Sequence, residues 1–148
     1  MAAIKHIIFK GKPRTGKSLF AKMIFDQEKT LIINRRVIVG DFNPFLFASN
    51  KKPWNYENVL IDDPVCKKFE IDFFYKYVFH DEIEVKIPYE HSFFVKTPRF
   101  IFTLDDTVQL PDTPSFNSHF KIIDFDKNPI ADLTKLINEE NIIINNHR

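Results

Sequence analysis

"IIFKGKPRTGKSLFAKMIF", residues 7–25, decides how the rest of the chain is read. Only 3 glycines occur in 148 residues, and two of them, Gly11 and Gly16, flank a proline and two cations here. The stretch Gly11-Lys12-Pro13-Arg14-Thr15-Gly16-Lys17-Ser18 fits the phosphate-loop pattern G-x-x-x-x-G-K-[ST]. The apolar run from Ile4 to Phe9 predicts a strand before it. Leu19, Phe20, Met23 and Ile24 recur at helical spacing and predict a helix from about Lys17 to Gln27. A strand that turns sharply into a helix aims successive backbone N–H groups at a polyphosphate. Residues without a Cβ permit the close approach and positive φ that this turn needs. The helix N-terminus adds a field that favours anions. Residues Gly11 through Ser18, with Leu19 in the first helical turn, form the expected nucleotide-binding set. Lys17 is expected to reach the β- and γ-phosphates and the Ser18 hydroxyl to ligate Mg²⁺. ATP is the default substrate, since no guanine-reading N-K-x-D motif is present.

Composition narrows the classes. The length suits one domain over residues 1–148, with a fraying tail at about 140–148. A hydrophobic share of 44% and a charged share of 28% are ordinary for a globular chain, and 17 phenylalanines supply much core material. A net charge of +1 gives no global attraction to nucleic acid or membrane, so any DNA contact has to be local. The single cysteine, Cys66, excludes an internal disulfide framework and fits a reducing compartment. No apolar run reaches membrane-spanning length and no signal-peptide pattern opens the chain. The expected location is therefore the cytoplasm, away from membranes. The five histidines lack metal-ligand spacing, which argues against zinc.

Further strands are expected at Thr30 to Asn34, in "NVLIDDP", in "RFIFTLDD" and in "HFKIIDFD". "CKKFEIDFFYKYVF" is compatible with a helix, and "NPIADLTKLINEENII" is expected to close the chain as one. Strands separated by helices or long connections make an α/β chain with a mostly parallel sheet covered on both faces. "EIEVKIPYEHSFFVK" alternates apolar and polar residues on both sides of Pro88–His91 and predicts a β-hairpin.

A phosphate loop needs an acid at the end of a neighbouring buried strand to hold the magnesium shell. A second acid often polarises the attacking water. "VLIDD" offers Asp62 for the metal and Asp63 as the base, although a plain acidic turn also satisfies Asp62-Asp63-Pro64. "TPRFIFTLDD" ends similarly at Thr103, Asp105 and Asp106, where a polar side chain between the other two elements could sense the γ-phosphate.

The order of these motifs over residues 4–126 resembles the superfamily 3 helicases, AAA+-type ATPases of viral, phage and plasmid replication proteins. The resemblance implies a P-loop NTPase three-layer sandwich with a mostly parallel five-stranded sheet and an inserted β-hairpin. It implies an ATP hydrolase using Lys17, Asp62, Asp63 and Asp105, with Mg²⁺ on Ser18 and Asp62. It further implies a homo-oligomeric ring that grips single-stranded DNA through Lys86, Tyr89 and His91 near the hairpin tip. A cation there pairs with phosphate while an aromatic ring stacks on the base. Two departures stand out. Asp105 takes the place of the family's sensor asparagine, and His119 and Lys121 stand where a finger arginine is expected. They favour an alternative, a nucleotide-binding regulatory or assembly module with low turnover. A small-molecule or nucleoside kinase is a further alternative, weakened by the absence of clustered arginines in the second half.

Overall fold

The computed structural model describes residues 6–34, 56–65, 68–69, 77–85 and 92–127. Five strands form one sheet in the order β2-β3-β6-β1-β7: β1 (His6–Gly11), β2 (Thr30–Asn34), β3 (Asn58–Asp62), β6 (Arg99–Asp105) and β7 (Phe120–Asp124). Every pairing in it is parallel. A separate antiparallel hairpin joins β4 (Glu82–Val85) to β5 (Phe93–Lys96). Helix α1 (Lys17–Ile24) follows β1, and the short α2 (Pro114–His119) precedes β7.

The strand interiors are mostly apolar, as expected for strands covered on both faces, and alternation decides which layer each side chain joins. Ile7, Phe9, Leu60, Ile101 and Ile123 pack against Phe20, Ala21 and Ile24 of α1. Ile8, Val59, Ile61, Phe100 and Phe102 point the other way. There they meet Phe69, Tyr77 and Val78, the hairpin residues Ile83 and Val85, and Phe116 of α2. Edge-to-face rings join the layers from within, with Phe69 to Phe102 at 4.7 Å and Phe9 to Phe20 at 5.7 Å between centroids.

The helix expected from Lys17 to Gln27 ends sooner. Phe25 turns extended, and Asp26 caps a 3₁₀ turn over Gln27–Lys29 through the Glu28 N–H. Of the four apolar residues at helical spacing, Phe20 and Ile24 are buried. Leu19 and Met23 are exposed at 66% and 65%, because the buried stripe runs through Ala21 instead. Lys68 forms an isolated parallel bridge with Gln109, so the "CKKFEIDFFYKYVF" segment starts extended, whereas Tyr77 and Val78 near its end lie in a π-helical turn; residues 70–76 are outside the described residues. Short α2 was not expected, although Thr113-Pro114 carries its signature. The Thr113 hydroxyl accepts the Phe116 N–H, and Pro114 occupies the first turn. The hairpin tip at 86–91, Cys66 and the helix expected from Asn128 onward lie outside the described residues. No helix among the described residues is long and apolar enough to cross a membrane.

Candidate functional site

The parallel register collects the motif residues at one end of the sheet. Gly11 lies opposite Asp105, Asp62 opposite Thr103, and Asn34 opposite Asp62. Because β6 runs between β1 and β3, its last residues separate the loop from the β3 acids. Asp62 continues the Leu60 side of β3 and Thr103 the Ile101 side of β6, which is the face covered by α1.

The loop turns through positive φ at Arg14 (66°) and Gly16 (89°), and α1 starts with the Phe20 N–H on the Gly16 carbonyl at 2.9 Å. Glycine is favoured at 11 and 16 for different reasons. At Gly16 a Cβ would meet nothing within 4 Å, so the constraint is the left-handed backbone. At Gly11 a Cβ would approach the Phe125 Cβ at 3.1 Å, so the constraint is space. Lys17 folds over the loop and donates to the carbonyls of Gly11 (2.9 Å) and Lys12 (2.8 Å), with the Thr15 hydroxyl at 3.4 Å. Thr15 Oγ1 donates to the Lys12 carbonyl at 2.9 Å. Gly16 offers no side-chain cap, and the first turn of α1 carries no acid, so this helix end keeps its positive field. Pro13 and Arg14 are exposed on the outer bend, and Leu19 lies one residue beyond Ser18 on the exposed side of α1.

Asp62, 7% exposed, is the hub of the site. Its Oδ2 accepts from Ser18 Oγ at 2.8 Å and lies 3.5 Å from Lys22 Nζ. Its Oδ1 accepts from Thr103 Oγ1 at 2.6 Å. The same Thr103 hydroxyl accepts the Asp63 N–H at 2.8 Å, and this fixes the positive φ of 49° at Asp63. The Asp63 side chain projects to the exposed surface at the strand end. Serine and aspartate oxygens are the hard donors that Mg²⁺ takes. That ion uses one or two protein ligands and completes its shell with water and phosphate. The pair Ser18–Asp62 fits such an ion, and among the described residues no cluster of three or more His, Cys, Asp or Glu could hold a metal by protein ligands alone.

Asp105 sits beside the loop on β6. Its Oδ1 accepts the N–H and hydroxyl of Thr107 at 3.0 and 3.2 Å. The Thr107 N–H bond chiefly, then a hydrogen bond with Asp106, hold the Asp105 carboxyl below its usual range, and Lys17 assists. The same shared bond raises Asp106. Asp105 therefore stays an anion near Lys17, while Asp106 is the partner that protonates first.

Two contributors were not foreseen. Lys22 follows Ser18 by one helical turn, a spacing that puts both on one face and was open to reading from the sequence. Asp126, beyond β7, accepts the Lys12 N–H through both oxygens at 3.2 and 3.3 Å. No local pattern announces that contact across 114 residues. Among the arginines, Arg14 is in the loop, and Arg99 opens β6 at the opposite end of the sheet from the loop. His119 Nδ1 donates to the Ser115 carbonyl within its own helix (2.8 Å), and the ring lies 4.6 Å from Phe79. The DNA-contact residues Lys86, Tyr89 and His91 lie outside the described residues. On the described stem the solvent face carries Glu82, Glu84, Phe94 and Lys96, which is not a basic surface.

No protein-family profile and no curated protein matches the chain. Among solved structures it is similar to an apo form of the NrS-1 C-terminal region, with a TM-score of 0.55 and 18% identity. The match covers 92% of this chain and 34% of that one, so the chain spans about a third of its neighbour. At this identity the likeness concerns the fold alone.

Proposed function

We propose that the chain is a magnesium-dependent P-loop ATPase of the AAA+, superfamily 3-like class, acting on single-stranded DNA during replication of a virus, phage or plasmid. The observation that carries this reading is the 2.8 Å bond between Ser18 Oγ and Asp62 Oδ2. It joins the last residue of the loop motif to the acid of a strand 44 positions away, where a magnesium-bound triphosphate needs both. The strand order supports it as well, since β6 brings Thr103 and Asp105 between the loop and Asp62.

In this reading the amides of residues 11–18 hold the phosphate tail and Lys17 exchanges its two carbonyl acceptors for β- and γ-phosphate oxygens. Ser18 and Asp62 would hold Mg²⁺, which supplies neutralising charge to the phosphoryl oxygens. Thr103 keeps Asp62 oriented, and Asp63 accepts the proton of the attacking water. Any grip on DNA belongs to the hairpin tip, because the stem face is mixed in charge. A ring-forming assembly would bring neighbouring copies to the same end of the sheet.

A second reading is favoured by Asp105. An anion beside the γ-phosphate position, with Arg99 at the far end of the sheet, suits a module that binds nucleotide and turns it over slowly. Steady-state phosphate release with and without single-stranded DNA separates the two. DNA-stimulated hydrolysis supports the motor, and tight ATP binding with negligible release supports the module. Phosphoryl transfer to an added nucleoside would refute both.

A further inference from the structure

Lys22 has no place in the loop motif, yet its ammonium lies 3.5 Å from the same Asp62 oxygen that accepts the Ser18 hydroxyl. Its side chain is 34% exposed and that of Asp62 10%, so the contact lies at the mouth of a largely buried acid and not out in solvent. The geometry follows from the helix. Ser18 and Lys22 are four residues apart, and α1 presents both to the end of β3. The other Asp62 oxygen is committed to Thr103 at 2.6 Å, so Lys22 and Ser18 converge on the one oxygen that remains for a metal shell.

We infer that Lys22 is a positioning residue: a cation built into the site that competes with magnesium for Asp62 and so sets the magnesium requirement of nucleotide binding. The inference rests on the nucleotide reading above. A divalent ion between Ser18 and Asp62 faces the nearby ammonium and is bound less tightly for it. Without the ion, the ammonium offsets the Asp62 charge, and an incoming triphosphate meets less repulsion. The site therefore trades magnesium affinity for tolerance of metal-free nucleotide. A bland role for Lys22 also exists, since a cation in the last turn of α1 favours the helix dipole. That role would alter stability without touching metal dependence.

The test titrates a fluorescent ATP analogue into the parent chain, Lys22→Met and Lys22→Arg, with EDTA or with graded magnesium chloride. Thermal melts establish that each variant is folded. Lys22→Met is expected to lower the half-saturating magnesium concentration about threefold to tenfold and to weaken binding in EDTA by a similar factor, the scale of a partly exposed charge pair. Lys22→Arg is expected to stay near the parent. Equal shifts with and without metal, or no shift, overturn the inference while leaving nucleotide binding intact. A parent chain that binds no nucleotide under either condition overturns the nucleotide reading and this inference with it. A Lys22→Met chain that does not fold is replaced by Lys22→Gln, judged by the same two outcomes, and Lys22→Arg with an altered magnesium midpoint counts against the inference.

Discussion

Thr103→Val removes one hydroxyl and keeps the shape of the side chain, which isolates the joint between β3 and β6. Thr103 is 2% exposed, so water cannot readily replace what is lost. Its Oγ1 donates to the Asp62 carboxylate at 2.6 Å and accepts the Asp63 N–H at 2.8 Å. The two losses are unequal. The Asp63 N–H still has the Thr103 carbonyl at 3.2 Å, whereas Asp62 Oδ1 loses its short hydroxyl donor. A bond to a charged group contributes about 1.5–3 kcal/mol and the shared N–H adds less, so the expected loss is about 2–3 kcal/mol. For a chain of this size that lowers the melting temperature by roughly 5–10 °C. Thr103→Ser retains both bonds and gives up one buried methyl, about 1 kcal/mol. Urea unfolding with unchanged m-values reads both. A valine variant within about 0.5 kcal/mol of the parent, or a serine variant as weak as valine, would refute the reasoning.

Three further expectations follow from single sites. His6 is buried beneath the sheet, its Nδ1 accepting the Phe100 N–H at 2.9 Å, so the proton is on Nε2 and is donated to the Val78 carbonyl at 3.0 Å. Burial chiefly pushes its pKa down to about 4, with Arg99 and His119 assisting. Because the unfolded ring titrates near 6.5, its contribution is complete above that pH and is lost as pH falls from 6.5 toward 4, by about 3 kcal/mol in all. Urea midpoints at pH 7, 6 and 5 should decline more steeply in the parent than in His6→Gln. Gly16→Ala should cost about 1–2 kcal/mol through its φ of 89° alone, without any rearrangement of neighbours, and a crystal or NMR structure showing displaced side chains would contradict that. Thr113→Ala should remove about 1 kcal/mol by uncapping α2, and Thr113→Ser should restore most of it in a thermal melt.

Local patterns carried much of the architecture. The strand near Thr30–Asn34 was readable because its apolar centre, Leu31 to Ile33, is bounded by polar residues. The glycine loop was legible because its residue types are dictated by backbone geometry, which sequence expresses directly. What escaped depends on tertiary register. Nothing near Thr103 shows that it will lie opposite Asp62, since that follows from β6 entering the sheet between β1 and β3. Asp126 was invisible for the same reason, being brought to Lys12 by the β1–β7 pairing. Helical spacing alone does not say which apolar residues of α1 face the sheet: Ala21 is buried there with Phe20 and Ile24, while Leu19 and Met23 are exposed. Short α2 carries its signal in plain view, in the Thr113-Pro114 pair, as Lys22 does in its spacing from Ser18.

Calorimetric titration of Mg-ATP into the parent chain and into Lys17→Ala bears most directly on residues 11–18 as a triphosphate cradle. The parent should bind saturably, and the variant about tenfold or more weaker with little change in melting temperature, because the lysine's loop carbonyls can turn to water. Identical, negligible heats from both chains, with ATP and with GTP, would contradict it.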